Sequence, residues 1–227
     1  MEYEKWLDSH ENIKAFLLEG LLPQSLVSKW TFYDSLQEAL HSLPCFISPD
    51  AQVADSAEIE GNVVVEAGAR IFPDSRIEGP ALIGMNAVVG DKSLIRSGTF
   101  LSRYATVGNH CYCTAAVIAP YVKAMHFCGI SRSLIGKSVT ITAYVITASL
   151  RADRELVKIG EPPNETFHPK RGCVVDENTY IAPHVTINPG VHIGSNCFIG
   201  SFLIVSNNIP DGKKIRIVHS HETVDNL

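Results

Sequence analysis

A six-residue period dominates the sequence from Ile47 to Cys113. Stepping by six from Ile47 reaches a branched aliphatic residue at every stop except the last, Cys113, and stepping by six from Ala51 reaches only small residues. An α-helix, with about 3.6 residues per turn, loses phase with such a pattern within two turns. Fixed self-similarity at this short period is typical of a parallel β-helix, a solenoid of stacked coils.

The residue types explain how such a coil would close. The aliphatic residue that opens each hexad is predicted to point into a triangular prism, and the residue four positions later lies near a corner, where only a small side chain fits. Three hexads make one coil of about eighteen residues, and coils stack at the strand spacing of about 4.8 Å. Pro49-Asp50, Pro73-Asp74 and Asn86 supply turn residues. Because one hexad buries almost nothing, the core becomes continuous only through stacking.

Composition and charge restrict the partners that we expect. The 227 residues carry a formal net charge of −5 at pH 7, which gives no electrostatic reason to expect nucleic acid. No apolar run reaches the roughly 18 residues that span a bilayer. The charged start, Met1 to Lys5, is followed by no apolar segment of a signal peptide. We therefore expect a cytoplasmic protein that binds no membrane.

The six cysteines do not form a metal or disulfide motif, since no C-x-x-C pair occurs. Cys111, Cys113 and Cys197 fall on repeat positions that favour small or apolar side chains, so we expect reduced, packed thiols. His110 and His126 are about one coil apart, but no third histidine has a suitable spacing. No metal site is therefore expected.

Two helical segments precede the repeat. Apolar residues recur on one helix face between Glu4 and Leu21 and again between Phe32 and Leu43. We predict that these helices form a cap over the first coil, which would otherwise expose an open strand edge. An arm that binds a partner is the alternative.

The repeat is interrupted after Cys113. Ile118 follows Cys113 after only five residues, Ile135 again comes one residue early, and the pattern disappears from Ser149 to Arg171. The predicted organisation is a helical cap at 1–45, a β-helix at 46–210 with an irregular coil and loop at 113–174, and a C-terminal tail at 211–227. A long loop on a compact solenoid is usually functional or disordered.

His126 is the first candidate for chemistry. A regular prism offers no cleft, so a site is expected where the repeat breaks. His126 lies between the two phase slips, two residues after the core position Ala124, and therefore at or near a corner. On position alone, a structural or simply exposed histidine is the alternative.

Four motifs resemble the acetyltransferase domain of the bifunctional N-acetylglucosamine-1-phosphate uridyltransferases, including their archaeal members. They are Val107-Gly108-Asn109, Lys123-Ala124-Met125-His126, Ser133-Leu134-Ile135-Gly136 and Ala148-Ser149-Leu150-Arg151-Ala152-Asp153. The resemblance covers roughly residues 30–210. It implies an all-β fold, a left-handed parallel β-helix, whose hand departs from the usual right-handed rule for parallel crossovers.

The resemblance also implies roles for individual residues. His126 aligns with the general base that takes a proton from the amine of glucosamine 1-phosphate as the amine attacks acetyl-CoA, a task suited to an imidazole with a pKa of about 6.5. Arg96 aligns with an arginine that binds the sugar phosphate, and a solvated arginine is the alternative. Ser149 and Arg151 belong to the acceptor side of the site. Ala143 falls where a small residue contacts the acetyl thioester through its backbone.

The co-substrate and the assembly are likewise implied by the resemblance. We expect acetyl-CoA, or another acyl-CoA, whose phosphates would meet Lys213, Lys214 and Arg216; a solvated basic tail is the alternative. We expect a homotrimer, because the family builds its sites between neighbouring prisms, and a small-molecule acceptor.

Several positions depart from the family pattern. Gly129 stands in place of a tyrosine, Ser149 in place of an asparagine, Thr114-Ala115 in place of a lysine and Tyr144 in place of a glycine. Each lost polar contact removes about 1–3 kcal/mol of binding free energy. Two hypotheses follow. The chain is a CoA-dependent acyltransferase, an N-acetyltransferase for an amino sugar or sugar phosphate, or it is a non-catalytic hexapeptide-repeat scaffold or regulatory subunit related to sugar nucleotidyltransferases.

Overall fold

Short parallel strands from successive coils stack into three sheets, A, B and C, which form the faces of a prism. This computed structural model describes residues 2–160 and 165–217. The prism is a left-handed parallel β-helix of about 9 turns. The fold class predicted from the six-residue period and the family resemblance is confirmed.

Strand boundaries follow the hexads closely. In chain order the strands are β1 (Phe46–Ile47), β2 (Gln52–Val53), β3 (Glu58–Glu60), β4 (Val63–Val65), β5 (Arg70–Ile71), β6 (Arg76–Glu78), β7 (Ala81–Ile83), β8 (Val88–Val89), β9 (Leu94–Arg96), β10 (Thr99–Leu101), β11 (Thr106–Val107), β12 (Tyr112–Thr114), β13 (Val117–Ile118), β14 (Lys123–Ala124), β15 (Gly129–Ser131), β16 (Leu134–Ile135), β17 (Thr140–Ile141), β18 (Ile146–Thr147), β19 (Val157–Ile159), β20 (Thr166–His168), β21 (Val174–Val175), β22 (Tyr180–Ile181), β23 (Thr186–Ile187), β24 (His192–Ile193), β25 (Phe198–Ile199), β26 (Ile204–Val205) and β27 (Lys214–Ile215).

Each sheet takes one strand from each coil. Sheet A contains β1, β4, β7, β10, β13, β16, β21 and β24; sheet B contains β2, β5, β8, β11, β14, β17, β22, β25 and β27; and sheet C contains β3, β6, β9, β12, β15, β18, β23 and β26. β19 and β20 form a separate antiparallel hairpin. We call the turns between the sheets the AB, BC and CA corners.

The AB and BC corners share one backbone conformation. The third residue after an inward-facing core position takes a left-handed conformation there, with φ between 55° and 62° at thirteen positions other than glycine; examples are Asp74, Asn86 and Phe127. For a residue other than glycine, this conformation is roughly 1–2 kcal/mol less favourable than the right-handed one. The stacking of strands on both sides of each corner offsets this free energy.

Coil length changes only at the CA corner. Residues of sheet A pair at intervals of eighteen down to Leu101, which then pairs with Ile118, seventeen residues on. Ile118 pairs with Ile135 at the same shortened interval, and Ile135 pairs with Val175 across the long loop. Both deletions and the loop therefore fall between a strand of sheet C and the next strand of sheet A.

Three helices form a layer on the outer face of sheet A. They are α1 (Glu2–Asp8), α2 (Glu11–Glu19) and α3 (Leu26–Ala39), the last capped by the Ser25 side chain and followed by a 3-10 helix, Leu40–Ser42. The outward-facing side chains of sheet A are fully buried beneath this layer: Val64, Leu82, Phe100, Val117, Leu134 and Val174. The outward positions of sheet A are thus mainly apolar and covered, whereas those of sheets B and C mix polar side chains with exposed apolar ones such as Phe198 and Ile146.

The predicted helical region is present and touches the outer face of the first coil, where Tyr3 stacks on Phe46, but it does not cover the open end of the prism. Ile47 is 45% exposed, and Val53 and Ile59 are only partly buried. The helices cover sheet A instead because its outward positions offer a much larger apolar surface than the end of the prism. In the sequence, every third hexad begins with an additional apolar residue before its core residue, as in Leu82-Ile83 and Phe100-Leu101. This pattern indicates that sheet A is covered on its outer face.

Helix α3 docks at the CA corner. Tyr33 donates a hydrogen bond from its hydroxyl to the carbonyl oxygen of Ala115 at 2.6 Å, and the Gln37 side-chain amide donates to the carbonyl oxygen of Gly98 at 2.8 Å. Both acceptors lie at the CA corner, and Ala115 lies in a shortened one. The first phase slip therefore coincides with a contact of α3.

The described parts of the segment that interrupts the repeat, 149–160 and 165–171, make defined contacts. The two ends of the segment, Ser149 and Arg171, are hydrogen-bonded to each other: the Arg171 N–H donates to the Ser149 carbonyl oxygen at 3.0 Å. Arg171 also binds the Asp34 carboxylate at 2.5 Å, and its guanidinium lies 5.2 Å from the Trp30 ring. The hairpin buries Val157 against the last coils. The segment is thus tied both to α3 and to the prism.

Replacing Phe100 with alanine tests the position of the helical layer. We expect the free energy of unfolding in urea to fall by about 3–5 kcal/mol, because the ring is fully buried under the helices. Phe198→Ala is the matched control at the equivalent outward position of the uncovered sheet B, and we expect it to cost less than about 1.5 kcal/mol. Equal losses would contradict a helical layer confined to sheet A.

Candidate functional site

His126 lies on the BC corner, between β14 and β15, with its side chain exposed. The backbone N–H of Asn109, one coil earlier, donates to His126 Nδ1 at 3.4 Å, a long hydrogen bond. In the neutral ring this contact puts the proton on Nε2. Because both phase slips lie at the CA corner, the predicted location of His126 inside a broken corner is wrong: its corner is regular.

Ala143 lies beside His126 in the next coil. The N–H of Tyr144 donates to the His126 carbonyl oxygen at 3.1 Å, so the two corner turns are stacked directly. Among the described residues, no hydrogen-bond partner is found for the N–H of Ala143, which is half-buried. The structure therefore brings together a histidine and an unpaired backbone donor, the two parts that the resemblance assigned to the base and the thioester contact.

Buried thiols hold the backbone around His126. The N–H of Cys128 donates to Cys111 Sγ at 3.4 Å, and Cys128 Sγ lies 3.0 Å from the Thr142 carbonyl oxygen. A hydrogen bond between the two thiol side chains lowers the pKa of Cys111 and, together with burial, raises the pKa of Cys128. Elsewhere burial raises the pKa of Cys173 to about 12. All six cysteines are free thiols.

A column of five stacked rings runs along the BC corner, and sequence reasoning missed it. We call this column the BC ladder; its members are His110, Phe127, Tyr144, His184 and Phe202. Successive ring centroids are 4.8–5.0 Å apart, which matches the spacing of the coils. Every member occupies the left-handed corner position, so stepping through that position along the sequence was the signal that would have revealed the ladder.

Arg96, Ser149 and Arg151 lie across sheet C from His126. Arg96 extends outward from β9, where Nε binds the Glu78 carboxylate at 2.9 Å. Ser149 follows sheet C and forms a 2.8 Å hydroxyl contact with Ser131. Within one protomer, these predicted acceptor residues therefore lie on the CA side of the sheet and His126 on the BC side.

Arg151 also lines a cleft of about 390 Å³ between the loop and the last coils. Its guanidinium forms an ion pair with Asp153, and Lys158, Asn207 and Asn208 contribute to the same walls. Lys158 binds Glu165 at 2.5 Å. The cleft is thus polar, with both cations already paired to carboxylates.

The basic residues predicted to meet CoA lie on the last described coil. Lys214 is part of β27 on sheet B, with Nζ 5.1 Å from the centroid of the Phe198 ring. Arg216 follows at the start of the BC corner, directly beneath Gly200. Lys213 pairs through its carbonyl oxygen with the N–H of Phe198. The tail beyond residue 217 lies outside the described residues.

A second buried polar cluster, also missed from the sequence, joins α3 to sheet A. Lys29 Nζ binds one oxygen of the Asp176 carboxylate at 2.5 Å and His192 Nε2 lies 2.7 Å from the other. Burial raises the pKa of Asp176, but the hydrogen bonds from His192 and Lys29 outweigh burial and hold this pKa below its ordinary value. Lys29 and Asp176 line a cleft of about 420 Å³. The polar cluster of Lys29, Asp176 and His192 anchors the start of α3 on sheet A.

The described residues contain neither a membrane-spanning helix nor a metal-binding cluster. None of the helices within residues 2–160 and 165–217 combines the length and apolar character needed to cross a bilayer. In the same ranges, no three His, Cys, Asp or Glu side chains are grouped to hold a metal ion.

Comparison with known proteins gives the family. A profile described as "Bacterial transferase hexapeptide (six repeats)" matches residues 172–207. The "Uncharacterized acetyltransferase YaiX" of Escherichia coli is 31% identical over 168 residues, which cover 72% of this chain and 73% of that protein. This chain belongs to the hexapeptide-repeat transferase family. The family predicted from the motifs around His126 is thereby confirmed.

Two further likenesses cover less of the relative's own length or share less sequence identity. "Bifunctional protein GlmU" of Methanococcus aeolicus is 32% identical over 207 residues, which cover 90% of this chain and 49% of that protein. The chain thus spans about half the length of these relatives. The structure of a UDP-N-acetylglucosamine acyltransferase from Campylobacter jejuni shares 17% identity, with a TM-score of 0.35 over 72% of this chain and 68% of that one. A likeness at this level adds nothing to the assignment of function.

Two departures from the family pattern have clear structural places. Gly129, where the resembling sequences have a tyrosine, faces outward from sheet C, and a Cβ there would meet only Ile146 at 3.8 Å. Tyr144, where they have a glycine, stacks between Phe127 and His184 in the BC ladder. This member of the family has therefore lost one aromatic residue on sheet C and gained one on the adjacent corner.

Gly108 is required for the corner that carries His126. A Cβ at this position would come within 1.5 Å of the Met125 carbonyl oxygen. We expect Gly108→Ala to lower the free energy of unfolding by about 1–3 kcal/mol, because the backbone has to shift. Gly129→Ala is the matched control and should leave the urea midpoint nearly unchanged, since it meets no atom closer than 3.8 Å. A harmless Gly108→Ala would mean that the coils are not so closely packed at this corner.

Proposed function

We propose that this protein is a CoA-dependent acyltransferase that acetylates the amine of an amino sugar or sugar phosphate. The observation that supports this most directly is the pairing of exposed His126 with the unpaired N–H of Ala143 one coil away. Membership of the hexapeptide-repeat transferase family supports the same reaction class. The competing proposal, a non-catalytic scaffold or regulatory subunit, is favoured by Gly129 and Ser149 at positions where the family holds its substrate.

In the proposed reaction, His126 takes a proton from the acceptor amine. The amine nitrogen forms a bond to the acetyl carbonyl carbon, the carbon–sulfur bond breaks, and the CoA thiolate receives the proton from the imidazolium. The Ala143 N–H is suited to donate to the thioester oxygen, where negative charge develops in the transition state. Each group acts at the atom where charge changes, which is the general requirement of acid–base and electrostatic catalysis.

The contact between the Asn109 N–H and His126 Nδ1 has to break before the ring can accept a proton. The Asn109 N–H holds Nδ1 as an acceptor, so Nε2 carries the proton in the neutral ring. If Nε2 is the atom that faces the amine, the proton has to lie on Nδ1 and the Asn109 contact has to break. At 3.4 Å this hydrogen bond is weak, and catalytic hydrogen bonds commonly tighten or rearrange only when substrate is bound.

The position of the acceptor residues supports a site shared between protomers. A prism corner is convex, so substrate at His126 has protein on one side only. Arg96, Ser149 and Arg151 lie across sheet C, so they reach this substrate only if it spans the sheet or if a neighbouring prism supplies them. We propose a homotrimer in which the neighbour supplies them.

An exposed apolar strip provides a surface for this assembly. Phe127, Tyr144 and Phe202 of the BC ladder are 46%, 47% and 67% exposed, and Ile146 and Ile204 on the adjoining half of sheet C are 50% and 72% exposed. Contiguous exposed apolar surface marks protein–protein or ligand contacts in soluble proteins. The strip lies beside His126, so burying it would also enclose the base.

Substitution of His126 tests the base. With acetyl-CoA and a panel of amino sugars and their phosphates, we expect His126→Ala to lower kcat for thiol release by about 100- to 10,000-fold, with little change in the KM for acetyl-CoA. His110→Ala, which removes a ring from the same corner one coil away, is the matched control and should retain kcat. Full activity of His126→Ala would refute its role as base. Absence of acetyl-CoA binding at millimolar concentration would favour the scaffold.

Mixing of inactive variants tests the shared site. We expect both His126→Ala and Arg151→Ala to be impaired alone, and their co-expression to restore about a quarter of the wild-type activity, because random trimers place an intact His126 against an intact neighbouring Arg151 at one interface in four. Light scattering should give three times the chain mass of 24.8 kDa. A site contained in one protomer would give no restoration, and a monomer would exclude the trimer.

A further inference from the structure

The cations on the outward face of sheet C are paired with carboxylates. Arg96 Nε lies 2.9 Å from one oxygen of Glu78, and Arg76 Nε lies 3.2 Å from the other. Arg76 also forms ion pairs with Glu58 and Glu60. The described strands of sheet C thus present three carboxylates and two guanidinium groups on this face. The cluster around Arg96 therefore has a negative net charge.

The two cations of the cleft beside the loop are neutralised in the same way. The Arg151 guanidinium binds both carboxylate oxygens of Asp153, with Nε 2.9 Å from Oδ1, and Lys158 Nζ lies 2.5 Å from Glu165. A phosphate that approached either cation would also approach its carboxylate. Because the juxtaposition of like charges weakens binding, this arrangement disfavours a phosphorylated ligand on the acceptor side.

The part of sheet C nearest to His126 carries no charge. The His126 corner leads into β15, which lies between β12 and β18 in the sheet. The outward positions of these three strands are hydroxylic, apolar or glycine: Tyr112, Thr114, Gly129, Ser131 and Ile146. Gly129 is in register with Tyr112 and Ile146 and leaves a gap between them, because a Cβ there would meet no atom nearer than 3.8 Å. Glycine inside a strand often marks the close approach of a ligand.

We propose that the acceptor is an amino sugar that carries no phosphate. The gap at Gly129 accommodates the sugar ring, and the hydroxyl groups of Tyr112 and Ser131 flank it. The paired guanidinium groups keep N–H donors for sugar hydroxyls. The same ion pairs exist in every protomer, so a neighbour that supplies Arg96 also supplies Glu78. This inference rests on the proposed acyltransferase function and selects one class among its acceptors.

Glu78 is the residue that decides this specificity. It binds Arg96 Nε, while Arg96 extends another nitrogen to the Tyr112 hydroxyl at 3.4 Å, beside the gap. Without the charge of Glu78, Arg96 has no carboxylate to neutralise it, and a guanidinium fork suits a phosphate. Removing this one carboxylate is therefore expected to shift the preference toward a phosphorylated acceptor.

Replacing Glu78 with glutamine tests the proposal. Thiol release from acetyl-CoA is measured with each amino sugar of the panel and its 1-phosphate, of which glucosamine and glucosamine 1-phosphate are one pair. For the wild type, we expect kcat/KM to be at least about tenfold higher for the unphosphorylated sugar. Glu78→Gln should raise kcat/KM for the phosphorylated sugar relative to the unphosphorylated one by about tenfold. Glu60→Gln removes a carboxylate that is paired with Arg76; it is the matched control and should leave this ratio unchanged.

Two further measurements identify the cause. Adding Arg96→Ala to Glu78→Gln should abolish the gain, and calorimetric titration with the sugar phosphate alone should show tighter binding to Glu78→Gln than to the wild type. A wild type that prefers the phosphorylated sugar, or a ratio that Glu78→Gln leaves unchanged, means that the acceptor assignment is wrong while the acyltransferase proposal stands. A gain that survives Arg96→Ala overturns the role of the Glu78–Arg96 pair. If neither the amino sugars nor their phosphates cause thiol release, the proposed function fails together with this inference.

Discussion

The in-register stacking of inward aliphatic side chains is the interaction on which the rest of this structure depends. No hexad can bury its own apolar residue, so each coil is stable only between two others. Stacking also fixes every corner turn above its predecessor, which is why corner residues form columns such as the BC ladder. At the first coil, where one neighbour is missing, Ile47 stays 45% exposed.

The second constraint is that sheet A is apolar on both faces. Its outward column, with Leu82 and Phe100, needs a cover, and the amphipathic N-terminal helices supply it. Docking α3 requires close approach at the CA corner, where Tyr33 reaches the Ala115 carbonyl oxygen. The returning loop is joined to the same helix by the ion pair between Arg171 and Asp34.

The shape of the prism determines how far the candidate site can be enclosed within one protomer. A corner positions His126 beside Ala143 with little freedom, because both belong to stacked turns. The same geometry makes the corner convex and leaves the base half-surrounded, so enclosure and acceptor binding have to come from another surface. The exposed apolar strip beside His126 is the feature that our proposal uses for a neighbouring protomer.

The sequence by itself determined the β-helix and the corner position of His126, because inward residues repeat at a fixed interval and their phase can be counted. The family was indicated by the resemblance of the motifs around His126. The sequence did not reveal which phase slips belong to which corner, and so His126 was wrongly placed in a broken one. The tertiary structure decided that Lys29 of α3 meets Asp176 and that Tyr33 of the same helix docks at the CA corner. Contacts between residues many coils apart in sequence depend on the path of the backbone in space, which a local period does not encode.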